Sequence, residues 1–147
     1  SSDTVLRPLN FIFRKLPKMR RLRPSYKGFV DNKTETLNTF KFNLCFENFS
    51  GQNGYITEKI FDSFAAGCIP IYWGPDNIED YIPPSTYINY QQFDSVEDCH
   101  KYLVSLTEEQ LLIFETEIRK FLLSDAANLF CVESFAANMA NHLEGLV

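Results

Sequence analysis

The 147-residue sequence is short of most features that would announce a chemistry outright. No apolar run approaches the roughly 20 residues of a membrane-spanning helix, and no secretion signal opens the chain. There is no Walker sequence and no GxGxxG, so no generic phosphate loop is present. Asp-x-Asp, the usual ligand pair for a divalent ion on a nucleotide-sugar diphosphate, is also absent, and no metal site is expected. The four cysteines (Cys45, Cys68, Cys99, Cys131) form no Cys-x-x-Cys, and with two histidines in all the ligand spacings of a zinc site are not met. Cys45 and Cys68 lie in apolar runs and are expected to be small buried thiols, which suits a reducing compartment. The chain does not begin with Met, so a piece of a longer protein is expected.

What remains is ordinary globular material: 45% hydrophobic, 22% charged, and long enough for one domain with its own core. Charge is uneven. Residues 1–41 hold ten Lys/Arg against three acids, and residues 42–147 hold four against sixteen. The basic part peaks at "FRKLPKMRRLRP", residues 13–24. Nucleic acid is not the expected partner, because the run is short, holds two prolines and sits on an acidic body that repels a polyanion. A solvated segment, a membrane surface or an anion site are the alternatives. Residues 1–25 are read as a basic N-terminal segment and 26–147 as the folded domain.

Residues 40–47 alternate, with Phe40, Phe42, Leu44 and Phe46 on one side and Lys41, Asn43, Cys45 and Glu47 on the other, as in a half-buried strand whose apolar side faces the core. The loop "NFSGQNG" follows. Thr57 then reads as an N-cap, with Ile56 able to staple onto Phe61 and with Ile60, Phe61, Phe64 and Ala65 as the buried stripe, until Gly67 stops the helix. "CIPIYW" is a buried strand ended by Gly74-Pro75. Strand, helix, strand in about 35 residues is a βαβ unit, which implies a parallel sheet. A third strand is predicted over 85–90. A helix over 95–106 has Ser95 and Asp98 at capping-box spacing and Val96, Cys99, Leu103 and Leu106 inward. The next helix opens at Thr107 and Gln110, with Leu111, Phe114, Ile118, Phe121 and Leu122 inside. A last one covers about 132–144, with Phe135, Met139 and Leu143 inward.

In an open parallel sheet, ligands bind beyond the carboxyl ends of the strands. The loop from Asn48 to Thr57 lies there, and the helix after it offers free backbone N–H groups and about half a positive charge, which suits a phosphate. Lys59 adds a full charge. Glu58 repels phosphate and is better used as an acceptor for sugar hydroxyls, while Tyr55 stacks or donates its hydroxyl and Asn48 donates and accepts. An acid for hydroxyls beside a base for phosphates describes a nucleotide-sugar site. Any exposed helix start carries similar residues, so local physics leaves both readings open. Glu47 contacts a ligand or braces the loop. Gly74 allows a close backbone approach or a tight turn, and Tyr72 and Trp73 read as core packing more than base stacking.

The stretch "FKFNLCFEN…GYITEKIFDSFAAGCIPIYWG" closely resembles the donor-binding segment of the α-1,3/1,4-fucosyltransferases, glycosyltransferase family 10. "YIPPSTYINYQQFDSVEDCHKYLVSL" continues the likeness, which spans residues 26–110. The resemblance implies an α/β fold: a Rossmann-like parallel sheet flanked by helices, the C-terminal half of a GT-B glycosyltransferase that binds GDP-β-L-fucose. It implies inverting transfer of L-fucose to a glycan hydroxyl without a cofactor. Asn48, Tyr55, Glu58 and Lys59 match the family's donor-contacting positions, with Lys59 on the diphosphate and Glu58 on hydroxyls; Glu47, Thr57 and Gly74 are secondary candidates.

Two departures accompany the likeness. Phe49 stands where Ser commonly follows "FEN", in a loop one residue longer than in bacterial relatives. The acceptor-binding domain, which supplies the general base in the family, has no counterpart here, so no catalytic residue is assigned to this chain and it is expected to turn over little alone. The family's phosphate-binding Arg lies upstream of the "FEN" strand, where Arg7, Arg14, Arg20, Arg21 and Arg23 are all candidates, with Arg14 and Arg23 singled out, in what reads as the remnant of an inter-domain region. A non-catalytic nucleotide-sugar-binding module, or a transferase using another nucleotide sugar, are the rival readings. Bacterial members are cytoplasmic or peripheral at the inner membrane and animal ones sit in the Golgi membrane; the sequence favours the bacterial case.

Overall fold

The computed structural model describes residues 28–144. The chain divides into two units, Ser1–Asp31 and Asn32–Val147, and the elements below belong to the second. Arg14, Arg23 and the basic run at 13–24 lie outside the described residues.

A short helix, α1 (Lys33–Leu37), is capped by the Asn32 side chain, which accepts from the Glu35 N–H. Strand β1 (Phe42–Phe46) leads to helix α2 (Glu58–Ala65) and strand β2 (Ile69–Trp73). The two strands are parallel, running in register from Phe42 opposite Ile69 to Phe46 opposite Trp73. Strand β3 (Ile88–Asn89) adds to the far side of β2, again parallel, giving the order β1-β2-β3. The α/β character and the parallel sheet flanked by helices follow the sequence pattern.

Helix α2 ends as a Schellman motif. Cys68 N–H bonds Ser63 O at 2.9 Å, Gly67 N–H bonds Phe64 O at 3.1 Å, and Gly67 takes φ +73°, the left-handed value glycine adopts without a Cβ penalty. Its buried face is Ile60, Ser63 and Phe64; Ala65, expected inside, is exposed. Burying Ile60 and Phe64 stabilises by about 1.5–3 kcal/mol each. Phe64 meets Phe121 edge-on, centroids 6.1 Å apart, and Phe61 meets Phe130 at 4.7 Å, so α2 is packed between the sheet and the later helices.

The face of β1 is a correction. Cys45 and Glu47 are buried, whereas Leu44 is 64% exposed and Phe40 and Phe46 also reach solvent. The polar side won because α2 supplies its partners: Asn43 Nδ2 donates to Ser63 Oγ at 2.7 Å, and Cys45 Sγ lies 2.9 Å from the same oxygen. Small polar groups satisfied in this way let a helix approach closely.

The third strand is shorter than expected. Pro83 and Pro84 break the approach into a 3-10 turn (Pro84–Thr86), and the Asn89 side chain accepts the Gln91 N–H at 3.0 Å, bending the chain away. Helix α3 (Val96–Ser105) is capped by Ser95, as predicted, with Cys99 inside; Val96 is 66% exposed, contrary to expectation. Helix α4 (Glu108–Leu122) has the full Thr107/Gln110 capping box and buries Leu111, Ile118 and Phe121, while Leu122 points outward. Helix α5 (Val132–Glu144) matches its predicted span, but Phe135, Met139 and Leu143 lie outside the described side chains. No described helix is long and apolar enough to cross a membrane. All four cysteines are free thiols, and Cys45, Cys68 and Cys99 are buried.

Candidate functional site

At the carboxyl end of β1 the chain places Glu47, the next residue on the buried face, with its N–H still bonded to Trp73 O at 2.8 Å. Its side chain is fully buried, a state that a carboxylate tolerates only when its oxygens are satisfied. They are. Oε1 accepts the Thr57 N–H at 2.8 Å and Oε2 takes the Lys59 ammonium at 2.7 Å. The Thr57 hydroxyl lies 2.9 Å and 2.8 Å from the two oxygens, and the Tyr72 hydroxyl reaches Oε1 at 3.4 Å. One carboxylate therefore ties together the ends of β1 and β2 and the start of α2.

The electrostatics follow from this geometry. Burial pushes the Glu47 carboxyl up, and hydrogen bonds from Lys59 and from the Thr57 backbone and hydroxyl more than offset it, holding it below the usual range. Lys59 is raised, chiefly by its bond to Glu47. Burial next to Glu47 drives the Tyr72 phenol well up, so it stays a neutral donor.

Thr57 occupies the N-cap position of α2, as predicted, yet its hydroxyl makes no cap bond because Glu47 takes it. The first-turn N–H groups, which have no intrahelical partner, are left without a side-chain cap. Beside them the Lys59 side chain is 29% exposed, and Glu58 is exposed. An uncapped helix start with an adjoining ammonium is an anion-binding arrangement.

The loop between β1 and α2 is pinned rather than free. Gly54 N–H donates to Asn77 Oδ1 at 2.9 Å, with Gly54 at φ +72°, and Phe49 packs edge-on against Tyr55 at 5.9 Å. Asn48 is exposed at the mouth of this loop and Tyr55 half-buried near its end. Gly74, beyond β2, is buried against Tyr72: a Cβ there would sit 2.5 Å from the phenol oxygen and 2.7 Å from the ring. The close approach it permits is thus to Tyr72. Gln91 Nε2 donates to Gly74 O at 3.3 Å, tying in the chain after β3.

Of the residues singled out from sequence, the structure joins Glu47, Thr57 and Lys59 directly, with Asn48, Tyr55 and Glu58 on the same loop and helix start. Tyr72 and Asn77 were not singled out as site residues. Tyr72 joins through its hydroxyl, and Asn77 carried the one usable signal, a turn-type Asp-Asn pair just past the second strand. Among the described residues no group of three or more His, Cys, Asp or Glu is placed to hold a metal ion.

Comparison with known proteins converges on one family. The family model described as "Glycosyltransferase family 10 (fucosyltransferase) C-term" matches residues 20–115. The chain is 46% identical over 77 residues to "Alpha-(1,3)-fucosyltransferase FucT" of Helicobacter pylori, which covers 50% of this chain and 16% of that protein. It is 40% identical over 83 residues to "4-galactosyl-N-acetylglucosaminide 3-alpha-L-fucosyltransferase 9" of Mus musculus, 55% of this chain and 23% of the relative. The chain thus spans about a fifth of the length of these curated relatives. Among solved structures, an α1,3-fucosyltransferase with GDP superimposes with a TM-score of 0.53 at 36% identity, covering 58% of this chain and 26% of the other. An α1,3-fucosyltransferase with GDP-fucose gives the same score at 32% identity, covering 74% and 34%.

Proposed function

Because the chain belongs to glycosyltransferase family 10, matching its C-terminal region, we propose that it is the donor-binding half of an inverting α-1,3/1,4-fucosyltransferase of GT-B architecture. The observation that carries this reading is the uncapped start of α2 with Lys59 beside it, on the carboxyl edge of a parallel sheet. Asn48, Tyr55, Glu58 and Lys59 are assigned to the donor, GDP-fucose. Lys59 and the helix amides face the diphosphate, Glu58 accepts sugar hydroxyls, and Tyr55 and Asn48 line the mouth. Support comes from relatives whose structures hold GDP and GDP-fucose.

In the proposed reaction the acceptor hydroxyl attacks the anomeric carbon of fucose from one face as the bond to the β-phosphate oxygen breaks on the other. The leaving diphosphate gains negative charge, and the helix start and ammonium stabilise that charge without reorganising. No metal is assigned to this step. The acceptor glycan and the base that takes its proton belong to an acceptor domain outside these 147 residues. General-base help is worth about 10²–10⁴-fold, so the isolated chain should bind donor and transfer little fucose. The proposed location is the cytoplasm or the inner face of the membrane if the protein is bacterial, and the Golgi membrane if it is eukaryotic.

Calorimetry of the 147-residue chain with GDP, UDP and CDP tests the reading. GDP is expected to bind in preference to the other two. Equal affinity for all three would leave a nucleotide-sugar transferase of other specificity, and no binding of any would end the donor-site assignment.

A further inference from the structure

A free lysine side chain samples many rotamers, and ordering one on a ligand costs affinity. Lys59 does not start from that condition. Its Nζ is held 2.7 Å from Glu47 Oε2 and 3.4 Å from Thr57 Oγ1 by the protein's own groups. An ammonium has three donor hydrogens, so the bond to Glu47 leaves donors for a ligand on the exposed part of the side chain. The same carboxylate engages the Thr57 hydroxyl, the group that would otherwise cap α2 and compete with an incoming anion for its amides. Glu47 is fully buried and so stands behind the ligand surface, not on it.

We propose that Glu47 is a positioning residue for nucleotide-sugar binding: it presets the Lys59 ammonium and keeps the start of α2 uncapped, so that both anion-binding elements are in place before the diphosphate arrives. The inference rests on the donor-site reading above and adds a role to a side chain that touches no substrate. It opposes a simpler expectation. A carboxylate near a phosphate site repels the phosphate, and on charge alone its removal would tighten binding.

The test is a binding cycle on the full chain with GDP as the probe, comparing the unsubstituted protein, Glu47→Gln, Lys59→Met and the double variant. Glutamine keeps an acceptor for Thr57 but loses the charge that anchors Lys59. Glu47→Gln is expected to weaken GDP binding by about three- to tenfold, the cost of ordering one long side chain on the ligand. Adding Lys59→Met to Glu47→Gln should then cost clearly less than Lys59→Met costs alone, because the lysine has already lost its preset position. A brace with no effect on Lys59 would leave those two costs equal, and that result, like unchanged or tighter binding by Glu47→Gln, overturns the proposal. If Glu47→Gln fails to fold, Glu47→Asp replaces it in the same cycle, since one methylene less draws the charge back from Lys59 without removing it. Failure of the unsubstituted chain to bind GDP would sink the donor-site reading and this inference together. Binding by both the unsubstituted chain and Glu47→Gln with equal affinity would sink this inference alone.

Discussion

Replacing Lys59 by Met should destabilise the fold and reverse the way its stability responds to acid. The Glu47 side chain is fully buried and Lys59 is its only cationic partner at bonding distance among the described residues. Breaking a buried ion pair from one side costs about 3–5 kcal/mol, because the remaining charge stays desolvated. Lys59 is itself 29% exposed, so water entering the vacated path relieves part of that cost, and the low end, about 3 kcal/mol at pH 7.5, is expected. In the unsubstituted protein Glu47 is held below the usual carboxyl range, so its contribution is complete above the ordinary carboxyl pKa and is lost as pH falls through the lower folded value. Without Lys59 the largest influence, burial, faces only the hydrogen bonds from Thr57 and the long one from Tyr72, and the carboxyl rises above the ordinary range. Lowering the pH from 7.5 to 5 then protonates the folded form more readily than the unfolded one and stabilises the variant. Urea unfolding followed by the fluorescence of Trp73, the single tryptophan, measures both quantities. A deficit below about 1 kcal/mol at pH 7.5, or the same deficit at pH 5, would refute the argument that Glu47 is a buried charge dependent on Lys59.

Three further outcomes are expected. Gly74→Ala drives a methyl into the Tyr72 ring and should lower stability by about 1–3 kcal/mol in thermal or urea melts. Gly67→Ala meets no neighbouring atom within 4 Å, so only its left-handed backbone is strained; a loss of about 1–2 kcal/mol is expected from the same measurement. Thr107→Ala removes one half of the α4 capping box and should cost about 1 kcal/mol, read as a lower urea midpoint with an unchanged slope.

Much of this architecture is readable from residue order, and the failures share a cause. Helix boundaries were legible where the signal is local: the Thr107/Gln110 pair, Ser95 with Asp98, and Gly67 all act on their own few neighbours. Facing was not. Alternation along β1 separates two sides but does not say which one the helix covers, and here Ser63, Thr57 and Lys59 return from later in the chain to satisfy Asn43, Cys45 and Glu47. Ser63 displaced Ala65 from the buried face of α2 for the same reason. The third strand is shorter than "STYINY" suggests because its strand formers Thr86, Tyr87, Ile88 and Tyr90 are interrupted by Asn89, whose side chain turns the backbone after Ile88–Asn89. At the site, Lys59 and Glu58 stood out as charges at a helix start. Glu47 reads as the polar end of the strand, contacting a ligand or bracing the loop, and nothing in its own neighbourhood shows that the later side chains of Thr57, Lys59 and Tyr72 close over it.

The side of β1 that pairs with no other described strand has a practical consequence. Among the described residues this strand bonds only to β2, and its sequence, Phe-Asn-Leu-Cys-Phe, has no charge and no proline and shows Leu44 and Phe46 to water. Edges of that kind recruit further strands from other molecules. Preparations of this chain should grow turbid with concentration, and an added lysine at position 44 should keep them clear.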